Sequence, residues 1–316
     1  VNWKQGQDQG RRIALEKAER LSTIISHIPW PTKALETNGR DICKALKPVE
    51  SALNAQDQGA VAQAFSKITS VMHDMTHAFY DDWFISVKGI TGDVVVHAIY
   101  ADEAANLGGL RGMIGNWEKG QDLGRKIAIE KVDRLHVLAN YITWPTADLA
   151  ASNRSMAEPL SGVTRGLTDK DLKATKDALA KVSNVFHDLT HAFYDHWFTS
   201  IKWAANPDVV YVSWVDLIAN FNDLRSLMGN WEQGQDLGRI IAIEKIDRLN
   251  ILNNHLAWPK ELTNPLVEIA KSLPPLQEEL KAKNLVQAKK CLTTVSEGFH
   301  PLTHAFYDTL KPAKAK

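Results

Sequence analysis

The chain repeats itself at a spacing of 114 residues, and this constrains its fold more than any other property of the sequence. Asn2-Trp3 returns as Asn116-Trp117 and Asn230-Trp231. The pattern Gly-Gln-Asp-x-Gly-Arg-x-Ile-Ala-x-Glu-Lys-x-x-Arg-Leu starts at Gly6, Gly120 and Gly234. Trp-Pro follows at Trp30, Trp144 and Trp258, and each copy closes on His-x-x-Thr-His-Ala-Phe-Tyr-Asp from His73, His187 and His300. Positions that three diverged copies all keep serve something common to all three. Three copies are expected: 1–88, 93–203 and 208–316.

Every copy reads as helix. Apolar residues fall at helical spacing along Trp3, Gly6, Gly10, Ile13, Leu21, Ile24 and Ile28, and Trp-Pro ends that run because proline disfavours helical geometry in the residue before it. A second helix is expected over Leu35–Asn54. A third is expected over Gly59–Ile85, with Phe65, Ile68, Met72, Phe79 and Trp83 as its apolar stripe. The segments 86–115 and 200–229 open with turns at Gly89–Gly92 and Asn206-Pro207. They continue as helix, expected to run straight into the next copy's first helix as one rod of roughly 40 residues. The fold class is all-α: three tandem antiparallel bundles of three to four helices, in a row or closed into a pseudo-threefold cluster. No β pattern competes.

With 37 basic and 37 acidic residues, nothing favours nucleic acid or an anionic membrane as a partner. No apolar run approaches the roughly 18 residues that span a bilayer, so no membrane insertion is expected. Nothing identifies a protein partner. The chain opens inside a repeat at Val1, which points to a removed N-terminal segment and tilts the expectation towards an exported or periplasmic protein. Cys43 and Cys291 occupy different places in different copies, which excludes a repeated disulfide or thiolate metal site.

The closing motif carries the chemistry. His73, His77 and Asp81 stand at i, i+4, i+8 on one helix face, as do His187, His191 and Asp195, and His300, His304 and Asp308. Two imidazoles one turn apart can reach a single ion. The aspartate supplies a third ligand or orients the second histidine through a hydrogen bond. Helix packing has no need for imidazole at both places, and the stripe lies off the apolar face. Tyr80, Tyr194 and Tyr307 follow on the same face.

A further ligand is sought in Glu16, Glu130 and Glu244, although Arg20, Arg134 and Arg248 at i+4 offer each an ordinary ion pair. Asp8, Asp122 and Asp236 are assigned to Arg11, Arg125 and Arg239 or to the solvent. Lys17, Lys131 and Lys245 fall inside the apolar stripe, either snorkelling or paired with a carboxylate such as Asp81. Gly6/Gly10, Gly120/Gly124 and Gly234/Gly238 imply close approach of an aromatic side chain or of a flat ligand. Single-copy histidines such as His97 are read as surface or packing residues. In the third copy Pro301 is expected to break a helical hydrogen bond and displace or weaken the site.

The reading is a transition-metal-binding protein for sequestration, delivery or sensing, with up to one site per copy and no catalysis required. Histidine with carboxylate suits Zn(II), Cu(II), Ni(II) or Fe. The alternatives are a metal-dependent enzyme with an open coordination position, a carrier of b-type haem or another planar cofactor, and a metal-free helical scaffold. A ferritin-like di-iron pattern would need Glu-x-x-His twice, and that is absent.

Overall fold

The computed structural model of the chain describes residues 8–87, 92–204 and 206–310, and among these all regular structure is helical. The first copy contains α1 (Asp8–His27), α2 (Lys33–Asn54) and α3 (Gln58–His77), the last running into a π-helical segment, π1 (Ala78–Phe84). The second contains α4 (Asp93–Glu118), α5 (Asp122–Tyr141), α6 (Ala147–Ser155), α7 (Ala157–Thr168), α8 (Leu172–His191) and π2 (Ala192–Phe198). The third contains α9 (Pro207–Glu232), α10 (Asp236–His255), α11 (Lys260–Lys281) and α12 (Leu285–Leu310). Two compact units result, residues 1–88 with 303–316, and residues 89–302.

In the first unit the core is built by Ile25, Leu35, Ile42, Leu46, Leu53, Ile68 and Met75. The core line of α3 thus passes through Ile68 and Met75. Phe65 and Met72, expected inside, are 59% and 40% exposed, and Ile13 on α1 is also exposed. Counting large apolar residues placed the stripe off centre; small residues such as Ala64 and Ala18 face the core instead. Trp3 and Gly6 lie outside the described residues.

In the second unit α4 packs against α5, α5 against α7, and α7 against α8, while α4 also meets α9 and α9 pairs with α10. The expected rod of roughly 40 residues does not form. α4 stops at Glu118, and the chain reverses through Gly120 (φ 87°), whose left-handed conformation costs L residues but not glycine. Gln121 N–H closes the turn on Asn116 O at 3.1 Å. Gly234 (φ 88°) does the same between α9 and α10.

In the second and third pairs the second glycine, Gly124 or Gly238, serves close packing. A Cβ on Gly124 would lie 2.6 Å from Met113 O, and one on Gly238 2.7 Å from Leu227 O. The space beside these glycines is filled by the backbone of the preceding helix, so they offer no slot for an aromatic side chain or flat ligand.

The Asp-x-x-Arg of the signature braces each copy. Arg125 Nε lies 2.8 Å from Asp122 while its Nη1 donates to Leu167 O at the end of α7, at 3.1 Å. Arg239 pairs with Asp236 and donates to Leu280 O at 3.2 Å, and Arg11 pairs with Asp8 and donates to Leu53 O at 3.3 Å. Each arginine thus caps a helix C-terminus whose carbonyls lack intrahelical partners. Pro301 does not interrupt α12, which stays helical to Leu310.

Candidate metal centre

Helix α8 is started by Asp171, whose side chain accepts from Ala174 N–H at 2.9 Å, and it buries Thr175, Val182 and Leu189. The opposite face presents His187 and His191 to solvent, each about half exposed. Their rings meet edge to face with centroids 4.6 Å apart. Asp195, one turn on, accepts from His191 Nδ1 at 2.7 Å. That hydrogen bond places the proton on Nδ1 and leaves the Nε2 lone pair available, the arrangement that orients metal-binding histidines. Asp195 is therefore engaged with His191 rather than lying in wait as a third ligand.

A third potential ligand atom comes from the next copy. Glu244 on α10 places Oε2 3.6 Å from His187 Nδ1. His187, His191 and Glu244 each offer one ligand atom, and the three atoms lie within 4.8 Å of one another, so the group could hold a metal ion. With metal–nitrogen and metal–oxygen bonds of roughly 2.0–2.2 Å, donors around one ion stand about 3.0–3.5 Å apart. The 3.6 Å separation closes to that edge with a small side-chain adjustment. Glu130, which shares a copy with these histidines, lies 3.3 Å from Arg134. Glu16 likewise lies 3.0 Å from Arg20.

The first copy builds its histidine pair in the same way. His77 Nδ1 lies 2.6 Å from Asp81 Oδ2, and the Nε2 atoms of His73 and His77 face each other at 3.3 Å, already the spacing of neighbouring ligands. His300, His304 and Asp308 of the third copy lie along α12, which lacks a π segment.

The π segments explain where Tyr80 and Tyr194 go. Placed on the histidine face by α-helical counting, Tyr194 is instead buried with Phe193, Trp197 and Phe198. Wider i→i+5 turns rotate residues after His191 relative to an α-helix, and bring all four rings inward. The third copy has Leu310-Lys311 where the others have Trp-Phe, and α12 remains α-helical to Leu310.

Behind the site lies a polar network that helical periodicity alone did not reveal. Tyr194 Oη donates to Asp216 Oδ2 at 2.6 Å, and burial holds its hydroxyl well above the ordinary pKa. The same carboxylate oxygen accepts from His97 Nε2 at 2.8 Å, and Asn220 Nδ2 donates to Oδ1 at 2.8 Å. His97 is fully buried among Phe193, Phe198 and Trp203, which makes it a packing residue and not the surface residue that was the other expectation. Its one signal was its place inside Val-Val-Val-His-Ala-Ile-Tyr.

Lys245 has a partner in this region too. Its Nζ donates to Asn220 Oδ1 at 3.1 Å and to Asp223 Oδ2 at 2.7 Å, and Lys131 donates to Asn106 at 3.2 Å. The partners lie on α9 and α4, not at the aspartates of the histidine motif. Desolvation lowers the pKa of both lysines. Arg248 lies 3.2 Å from Glu244 Oε2, with its guanidinium 5.9 Å above the Tyr194 ring.

Neither a family model, nor a curated protein, nor a solved structure matches this chain. No helix among the described residues is long and apolar enough to cross a membrane.

Proposed function

We propose that the chain binds a divalent transition metal ion through His187, His191 and Glu244, with Asp195 fixing the tautomer of His191. The observation that carries this reading is the convergence of two imidazoles from α8 and a carboxylate from α10 within 4.8 Å. Two nitrogens and one carboxylate oxygen suit Zn(II), Cu(II), Ni(II) or Fe(II), and leave at least one coordination position for water. The half-exposed imidazoles give an ion a direct path from solvent. Sequestration, delivery or sensing fits such a site. The matching histidine pair of the first copy and the stripe on α12 extend the proposal to more than one ion per chain.

Metal analysis of the protein after dialysis against zinc provides the test, with His187→Ala/His191→Ala as the comparison. The double variant is expected to bind fewer ions per chain while keeping its helical circular dichroism. Unchanged stoichiometry in that variant would remove the site.

A further inference from the structure

We propose that Arg248 sets the affinity of this centre by competing with the metal for Glu244, which keeps the bound ion exchangeable. The inference rests on the metal-binding reading above and concerns how tightly the site holds its ion.

Glu244 Oε2 stands at once 3.2 Å from Arg248 Nη2 and 3.6 Å from His187 Nδ1. The atom that would ligate the ion is therefore already engaged by a cation. A guanidinium on that oxygen takes up one of its lone-pair directions and neutralises the charge that draws the metal. It also puts a like charge just behind the ion. Arg248 cannot readily swing into water, since its side chain is only 12% exposed. Its guanidinium lies over the ring of Tyr194, which is itself fixed through Asp216 to His97 and Asn220. Being largely buried, the arginine is less screened than a surface residue would be. Lys245, beside Glu244 in sequence, is turned away and occupied by Asn220 and Asp223.

The glutamate–arginine pair is written three times, and the tyrosine beneath the arginine twice. Glu16 pairs with Arg20 at 3.0 Å and Glu130 with Arg134 at 3.3 Å. Arg20 lies 5.4 Å over Tyr307, as Arg248 lies over Tyr194. A plain i,i+4 ion pair on a helix needs no aromatic platform beneath its arginine. Repetition of the tyrosine with the pair points to a held cation, one whose position matters to the glutamate.

The experiment uses the full chain with His77→Ala and His304→Ala as a common background, so that zinc reports on His187 and His191. Zinc affinity is measured by competition with a chromophoric chelator, and zinc release by stopped flow. Arg248→Met, which keeps the length of the side chain and removes its charge, is expected to tighten zinc binding about tenfold or more, chiefly through slower release. Arg248→Lys keeps the charge and is expected to stay within about threefold of the parent. Adding Glu244→Gln to Arg248→Met should abolish the gain. Unchanged or weaker binding in Arg248→Met overturns the inference, because the arginine would then be an ordinary ion pair or a support for the glutamate. If Arg248→Met loses its helical signal, Arg248→Gln takes its place with the same expectation. A parent that binds no zinc, or a His191→Ala variant that binds as the parent does, removes the metal-binding reading itself.

Discussion

Asp195 shows how much one carboxylate can do without touching an ion. By accepting from Nδ1 of His191 it selects the tautomer that exposes Nε2 and holds the ring at a fixed angle. Asp195→Asn keeps the shape and weakens that selection, because an amide can present its N–H to the ring as readily as its oxygen. Zinc affinity is expected to fall roughly 10–100-fold, the usual cost of losing such an outer partner, while the number of ions bound at saturation stays the same. Isothermal titration separates the two quantities.

A second residue, Glu103, tests the interior. It is fully buried on α4, and neither carboxylate oxygen has a hydrogen-bond partner among the described residues. Desolvation, with Asp102 adding to it, raises its pKa well above the ordinary 4.5. The folded protein therefore keeps this proton where the unfolded chain gives it up. Stability is fully retained below the ordinary carboxyl range and falls as pH climbs from there towards the raised value. The third copy carries Leu217 at the equivalent place. Glu103→Leu is expected to raise the melting temperature at pH 8 and to change it much less at pH 4, as differential scanning calorimetry would show.

Among the elements, the helix–turn–helix between α9 and α10 gives glycines of opposite meaning. Gly238 has the carbonyl of Leu227 where a Cβ would stand, 2.7 Å away, whereas Gly229 on α9 has open space at that point. Gly238→Ala is expected to destabilise by about 1–3 kcal/mol through overpacking. Gly229→Ala is expected to stabilise by about 0.5–1 kcal/mol through helix propensity. Urea unfolding of the two variants, compared at constant m-value, decides between the signs.

The same turn marks the limit of what the sequence could tell. The helices themselves were legible because amphipathic spacing and Trp-Pro stops are local signals, and the histidine pairs because i, i+4 is local too. Gly120 and Gly234 looked like helix-packing glycines, since spacing alone does not separate a left-handed turn residue from a contact residue. The π segments carry no periodic signature of their own; they become visible only when Phe193, Tyr194, Trp197 and Phe198 are all found buried. The place of Glu244 depends on which helices meet, and that is settled by tertiary packing. The glutamate was identifiable as a candidate, whereas its meeting with the histidines of the preceding copy was not.

At the scale of the whole molecule, the ligands of the proposed site stand on α8 of the second copy and α10 of the third, far apart in sequence and both within residues 89–302. An ion bound to both would hold two copies together as well as two helices. Zinc at about 100 times its dissociation constant is expected to stabilise the native state by roughly 2.7 kcal/mol per site. That shift should be reversed by chelator and reduced in His187→Ala/His191→Ala. Thermal unfolding with and without zinc checks it, and an unchanged midpoint for the parent would mean that the ion does not bridge the fold.

A site assembled from consecutive copies also bears on ancestry. One copy on its own carries a histidine pair near its end and a glutamate in an earlier helix, but the glutamate beside His187 and His191 belongs to the copy that follows. A forerunner with one copy per chain would have completed the centre only by associating with another molecule of itself. On the proposed function, gene duplication would convert an encounter between separate chains, dependent on concentration, into a permanent neighbourhood along one polypeptide.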